Sequence, residues 1–260
     1  MKKYFSSLLG LCALCAISFP FSARALLIDF NTGYTAGNNL DGQPSAGTQW
    51  SGGGSDFLVV SGAGVSGSNA VVTQSKSSGT TNSLFSPSAT DLPGFDGDSS
   101  ILEVSFQFQF TGTVDDDTNT QTVAAIQFGY NGADSSVAAR FHLMADGTLG
   151  YYRGSNITID TNVTFNPNAW NTVVAILNYS TQTFSFTING TQVIRSGVSE
   201  FAFRGSTTGS GIRLADTGST SWTAVAFDNI NVNVIPEPSV TWLLGGALLM
   251  LFVFRGKQKS

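Results

Sequence analysis

The stretch that decides the fold is "FSFTINGTQVI", Phe184 to Ile194. Phe184, Phe186 and Ile188 alternate with Ser185 and Thr187, the period-2 pattern of a strand with one buried face. Asn189-Gly190 then supplies two residues that accept positive φ, which a two-residue type I′ turn requires. The pairing this predicts sets Phe186 opposite Val193. Working outward, "VSFQFQF" (Val104 to Phe110) places Phe106, Phe108 and Phe110 on one face, Gln107 and Gln109 on the other. A second hairpin is predicted around Asp146-Gly147 in "RFHLMADGTLGYY". Further strands are expected over Leu27–Phe30, Phe57–Val60, Ala70–Thr73, Thr122–Tyr130, Trp170–Tyr179 and Trp222–Val234. No segment before the C-terminal tail carries a helical period. Short strands separated by Gly-rich turns predict an all-β sandwich or jelly roll.

The order of features narrows the expectation. "AWNTVVAILNYSTQTFSFTINGTQV" (Ala169 to Val193) resembles the paired strands of concanavalin A-like, or laminin G-like, jelly rolls. In that family a Trp opens an apolar strand and the next strand ends in an Asn-Gly turn. "AFDNINV" (Ala226 to Val232) is similar to the family's closing strand. The opening "IDFNTGYTAGNNLDGQPSAGTQW" resembles the first segment of exported bacterial domains of this kind. The resemblance implies a jelly-roll domain over 26–233.

The two ends carry sorting grammar. Lys2 and Lys3 precede an apolar run to Phe21, and Ala23-Arg24-Ala25 fits a small-x-small cleavage site, so residues 1–25 read as a signal peptide. At the other end Pro236, Glu237 and Pro238 form a stiff extended element. Val240 to Phe254 follows without a charge, and Arg255, Lys257 and Lys259 close the chain. As a helix that apolar run would span roughly 22 Å, short of a ~30 Å hydrocarbon core. Taken together, Pro-Glu-Pro, short apolar helix and basic end resemble the PEP-CTERM sorting signal of Gram-negative bacteria, here over 234–260. The resemblance implies processing by signal peptidase and by an exosortase, with transient insertion in the inner membrane through 239–254. The protein would then be released to the cell envelope or extracellular matrix.

Between these signals, residues 26–235 hold fourteen Asp and two Glu against one Lys and five Arg, a net charge of 6 − 16 = −10. Such a surface repels nucleic acid and anionic lipid. Cys12 and Cys15 both fall in the predicted signal peptide, which leaves the body without disulfide, thiol nucleophile or thiolate metal site.

Catalysis finds little to work with. Retaining glucanases of this fold carry two close carboxylates on one strand, whereas Glu103, Glu200 and Glu237 stand far apart in sequence. His142 is the sole histidine and no nucleophile elbow accompanies it. A lyase or hydrolase built on His142 stays open as an alternative, as does a purely structural surface protein. The leading expectation is a non-catalytic glycan-binding or adhesion module.

Two clusters are candidate sites. A two-residue turn at Asp146-Gly147 would pair Met144 with Leu149, His142 with Tyr151 and Arg140 with Arg153. Arg140, His142, Tyr151 and Arg153 would then line one outward face, with Phe141, Leu143 and Tyr152 in the core. Planar donors beside an aromatic ring suit a sugar or uronate. Asp115, Asp116 and Asp117 in "VDDDTNT" place hard oxygen ligands in one loop, the donor set for Ca²⁺. Asp96 and Asp98 form a sparser cluster. No other cofactor is expected.

Overall fold

The computed structural model describes residues 25–235, apart from 46–47, 53–55, 75–81, 86–96, 99, 112–121, 131–135, 145, 155, 160–162, 164, 210 and 217–223. In chain order the strands begin with β1 (Ala25–Ile28), β2 (Pro44–Ser45), β3 (Thr48–Gln49), β4 (Phe57–Val60), β5 (Ala70–Thr73) and β6 (Asn82–Phe85). The middle of the chain forms β7 (Ile101–Phe110), β8 (Thr122–Tyr130), β9 (Ala139–Met144), β10 (Leu149–Arg153), β11 (Asn156–Ile159) and β12 (Asn171–Asn178). It closes with β13 (Thr183–Ile188), β14 (Thr191–Gln192), β15 (Phe201–Ala202), β16 (Gly211–Asp216) and β17 (Val225–Ile235). Among the described residues there is no α-helix, so none is long and apolar enough to cross a membrane.

Two antiparallel sheets face each other. The nine-stranded sheet runs β14-β13-β12-β7-β17-β5-β4, with β1 also on β17 and β15 also on β13. The six-stranded sheet runs β11-β10-β9-β8-β16-β6. Phenylalanines from the first sheet meet aromatic rings from the second across the sandwich. Phe106 lies 5.9 Å from Phe128 and 5.5 Å from Phe141, while Phe186 lies 5.1 Å from Phe141 and 5.0 Å from Tyr151. Their offset and edge-on geometry is what ring quadrupoles favour, and their burial supplies much of the driving force for folding.

The deciding hairpin forms as the sequence predicts. Thr187 pairs with Gln192 and Ile188 with Thr191, leaving Asn189 (φ 48°) and Gly190 (φ 79°) as a two-residue turn. Val193 N–H donates to the Phe186 carbonyl at 3.0 Å. Val104–Phe110 lies within β7, whose exposure alternates along its length as expected of a half-buried strand. The opening segment packs onto the core through Phe30, Leu40 and Trp50, and Trp50 donates to the Tyr34 hydroxyl at 3.1 Å.

The second hairpin corrects the sequence reading. Leu149 pairs with Leu143, Gly150 with His142 and Tyr151 with Phe141. Met144 N–H bonds the Thr148 carbonyl, Gly147 N–H bonds the Met144 carbonyl, and Gly147 sits at φ 77°. Residues 145–147 thus form a three-residue loop with a left-handed glycine, not a two-residue turn. Asp146 favours it: its Oδ1 accepts from the Thr148 N–H at 2.9 Å and hydroxyl at 2.6 Å. One extra loop residue shifts the register by one, and a shift by one exchanges the faces of the strand. Tyr151 is therefore core and Tyr152 is not, the reverse of the expectation.

Candidate functional site

The outer face of the six-stranded sheet carries the chemistry, and pairing register assembles it. Arg213 on β16 lies opposite Gln127 on β8, and Gln127 opposite Arg140 on β9. Tyr152 on β10 continues this line, with Arg140 5.6 Å from its ring centroid. The next line along the strands, about 7 Å away at two residues' rise, is Ala215, Ala125, His142 and Gly150. Three of its four members are Ala or Gly, so a line of small, fully buried residues runs beside a line of long cationic ones. Strand alternation turns Phe141, Leu143, Ile126, Tyr151 and Leu214 the other way, into the core.

Aromatic rings hold the guanidinium groups. Arg204 is brought in by an isolated bridge to Val137, and its guanidinium sits 4.4 Å from the Tyr152 centroid. Arg213 lies 5.2 Å from the centroid of Tyr130. Tyr130 reaches this face because Gly129 takes φ 73° and the β8–β16 register slips there, which resets the alternation. Gly129 has no room for a side chain, since a Cβ would come within 2.5 Å of the Ala138 Cβ.

Among the described residues, Gln127 is the side-chain amide that reaches the guanidinium groups of this line. With its amide oxygen turned to Arg140, Gln127 accepts from both Nε and Nη1 at 2.9 Å. Turned the other way, the same oxygen takes a 3.5 Å bond from Arg213 Nη1. One amide cannot serve both. Neither Arg140 nor Arg204 meets a carboxylate among the described residues, and the Arg204 guanidinium has no hydrogen-bond acceptor there. Arg140 is only 9% exposed. Burial lowers its pKa, and nearby Arg204 acts in the same direction. An incompletely paired, desolvated cation is costly, and such groups concentrate where a ligand completes them.

His142 completes the site as a neutral group. It is 2% exposed, and burial, then Arg140, then Arg204 push its pKa down to about 3. Thr122 Oγ1 lies 3.1 Å from Nδ1, the Tyr152 ring meets the imidazole edge-on at 5.2 Å, and Nε2 has no partner among the described residues.

The sequence-predicted residues are therefore divided. Arg140 and His142 share the outer face, which is largely shielded from solvent. Tyr151 leaves it for the core, fully buried against Phe186 and Phe201. Arg153 is exposed at the end of β10, opposite Asn156, with the alternation of Tyr151. Gln127, Tyr130, Arg204 and Arg213 were not singled out by sequence, and Tyr152 was expected in the core. Arg213 lies on β16, a strand too short and too mixed to show a period. The acidic loop Asp115, Asp116 and Asp117 lies outside the described residues, as do Asp96 and Ala23. So do Pro236, Glu237, Pro238, the predicted helix of 239–254, Arg255, Lys257 and Lys259. Asp98 is exposed, and Ala25, at the predicted cleavage point, opens β1. Among the described residues no group of three His, Cys, Asp or Glu side chains could hold a metal ion.

Comparison with known proteins gives the architecture. No family model matches the chain, and no curated protein matches it. Among solved structures, it is similar to the Trypanosoma rangeli sialidase bound to 2,3-difluorosialic acid. That match has a TM-score of 0.51 and 12% identity, over 86% of this chain and 32% of that one. It is also similar to the binding domain of Paraclostridial Mosquitocidal Protein 1, with a TM-score of 0.50 and 15% identity, over 84% of this chain and 51% of that one. The likeness is one of fold. It places the chain among β-sandwich, jelly-roll structures, and the chain spans about a third and about half of the length of these two.

Proposed function

We propose that this protein is a non-catalytic glycan-binding module with a concanavalin A-like jelly roll, exported and retained at the cell envelope or in the extracellular matrix. Export rests on the N-terminal signal pattern. Sorting rests on the PEP-CTERM-like tail, which implies release by an exosortase. The binding reading rests on one observation: Arg140, Arg204 and Arg213, three of the five arginines of an acidic body, are held against tyrosine rings on one sheet face. Guanidinium groups held in this way offer hydrogen-bond donors to a polar ligand.

The chemistry of His142 supports a non-catalytic role. A general base works best with a pKa near the operating pH, and a buried imidazole with a pKa of about 3 is a weak base at neutrality. Its part is to pack edge-on against Tyr152 as an uncharged ring.

The test is a glycan-binding screen of the full chain, followed by Tyr152→Leu. Tyr152 seats two arginines from outside the core, so this variant should keep its melting temperature within a few degrees and lose at least about tenfold in affinity, roughly 1.4 kcal/mol. Unchanged binding by Tyr152→Leu would move the site elsewhere. Depolymerisation of a bound polysaccharide, stopped by His142→Ala, would replace this reading with a lyase.

A further inference from the structure

The outer face of the nine-stranded sheet is open where the other is shielded. The outward side chains from Glu103 to Gln109 on β7, from Thr172 to Ile176 on β12 and from Asn229 to Asn233 on β17 are all half-exposed. Pairing register sets them in parallel lines: Glu103 beside Asn233 and Ile176, Ser105 beside Asn231 and Val174, Gln107 beside Thr172. Trp170 heads the β12 line, one residue before the Asn171–Phe108 pair and so level with Gln109. Its indole packs against the small cluster of Ala70, Val72 and Ala226 and stays half-buried. The turn that presents it is pinned from beneath. Asn171, only 1% exposed, donates to the carbonyls of Asn166 and Ala169 at 2.7 Å each and accepts from Asn189 Nδ2 at 2.9 Å. Among the described residues no aromatic ring or guanidinium lies against Trp170, and its Nε1–H has no acceptor. Gln109 donates its amide N–H to the Asn168 carbonyl at 2.8 Å, and its Oε1 has no partner among them.

We infer that this face is a second binding surface, which takes a neutral polysaccharide laid along β7 with one sugar ring stacked on Trp170. It lies on the opposite side of the sandwich from the arginine face and does not depend on it. A pyranose has an apolar C–H face and a rim of hydroxyls that both donate and accept. Trp170, Val174 and Ile176 offer apolar area to the first, and Gln109 with the half-exposed amides of Asn231 and Asn233 serves the second. From Glu103 to Gln109 the lines run roughly 20 Å, room for several sugar units in a row. A Trp anchor brings a large contact area with few rotatable bonds, and a pinned turn has little further freedom to lose on binding. Charge decides against an acidic partner. None of the three strands carries a Lys or Arg, Glu103 is the charged residue among their outward side chains, and the body as a whole carries −10. Uronate or sulfate polymers would be repelled from such a face, whereas hydroxyl groups are not.

The experiment titrates the full chain with laminarin, galactomannan and dextran as neutral polymers and with polygalacturonate as an acidic one, by calorimetry. At least one neutral polymer should bind, and raising salt from about 50 to 500 mM should change its affinity less than about twofold, because screening acts on ionic contacts. Trp170→Ala should weaken that polymer at least about tenfold, as truncating a Trp anchor does. Trp170→Phe keeps a ring on the Ala70, Val72 and Ala226 cluster, so its melting temperature should stay within a few degrees. Loss of one hydrogen bond should weaken the same polymer about threefold in Trp170→Phe and about threefold in Gln109→Ala. Arg153→Gln, which removes an exposed charge at the end of β10, should change nothing. The inference falls if no neutral polymer binds, or if the Trp170 and Gln109 variants bind as the wild type does. In that second case, a loss in Tyr152→Leu leaves the arginine face standing as the glycan site. A loss in Trp170→Ala with unchanged binding by Tyr152→Leu upholds this surface and removes the other. Polygalacturonate binding as tightly, in a manner that Trp170→Ala abolishes, would overturn the neutral ligand. Self-association that Trp170→Ala abolishes, with no glycan bound, would make the face a protein interface and overturn the inference as well.

Discussion

The two sheets present opposite kinds of outer face. On the nine-stranded sheet, β7, β12 and β13 alternate between buried and half-exposed residues along their whole length. Their outward amides and hydroxyls bond one another: Gln107 donates to Thr172 Oγ1 at 3.2 Å and accepts from Asn229 Nδ2 at 2.6 Å. On the six-stranded sheet, β9 is buried at every position and β8 at all but its ends. The polar groups also differ in kind. Asn231 and Asn233 leave acceptor oxygens without partners among the described residues, whereas the second face carries guanidinium groups held on tyrosine rings. A half-wet amide face can be finished by water. A shielded face carrying guanidinium groups cannot, and the proposed site rests on that difference.

The contrast has a large consequence on β7. Phe106 touches Phe108, Phe128, Phe141 and Phe227, so Phe106→Ala opens a cavity between the sheets and should cost about 3–5 kcal/mol. Gln109, three residues on and facing out, should cost no more than about 0.5 kcal/mol when changed to Ala. Urea denaturation of both variants measures the asymmetry. Equal losses would mean that the outer face of the first sheet is covered too, and the comparison would collapse.

Acid should reveal the shielding of the second sheet. His142 is held neutral in the fold with a pKa of about 3 against 6.5 when unfolded. The unfolded chain therefore takes up a proton first as pH falls, and stability is lost from about pH 6.5 downward at about 1.4 kcal/mol per pH unit. Asp228 works the other way. Burial raises its pKa despite hydrogen bonds from Val65, Asn229 and Ser68, so acidification below that raised value favours the fold. Comparing wild type with His142→Gln cancels the Asp228 contribution. Between pH 7 and 5 the wild type should lose about 2 kcal/mol more than the variant, and parallel curves would mean an imidazole in contact with water.

What the sequence disclosed follows the same division. A strand with one wet face prints its alternation, as Phe57–Val60 does, whereas Ala70–Thr73 and Thr122–Tyr130, buried at all or nearly all positions, were legible to the residue from their apolar runs. A strand that is buried on both faces and also short and mixed in composition prints neither an alternation nor an apolar run. Gly211–Asp216 was missed for that reason, and Arg213 with it. Tyr130 depended on a bulge at Gly129, and Arg204 on a bridge to Val137 from a distant segment. Neither leaves a local trace. Arg140 and His142 were legible because they alternate with Phe141 and Leu143. Their partner was misassigned, since Tyr151 and Tyr152 differ only by the parity of a loop.

That parity gives the finest test, and the two hairpins supply both arms. At Asn189-Gly190 both residues are left-handed, and the Asn189 side chain accepts from the Thr172 N–H at 2.9 Å and donates to Asn171 Oδ1 at 2.9 Å. Asn189→Ala removes both bonds and places a less tolerant residue at positive φ, so it should cost about 1–2 kcal/mol. In the second hairpin Gly147 is left-handed, and Asp146 accepts a local turn bond from the Thr148 N–H. Asp146→Ala should cost about 0.5–1.5 kcal/mol, with the register unchanged because Gly147 still supplies the bulge. Hydrogen exchange at Thr148 should quicken while exchange at Tyr151 stays slow. Faster exchange at Tyr151 would mean that Asp146, not the glycine, keeps Tyr151 in the core and Tyr152 under the arginines.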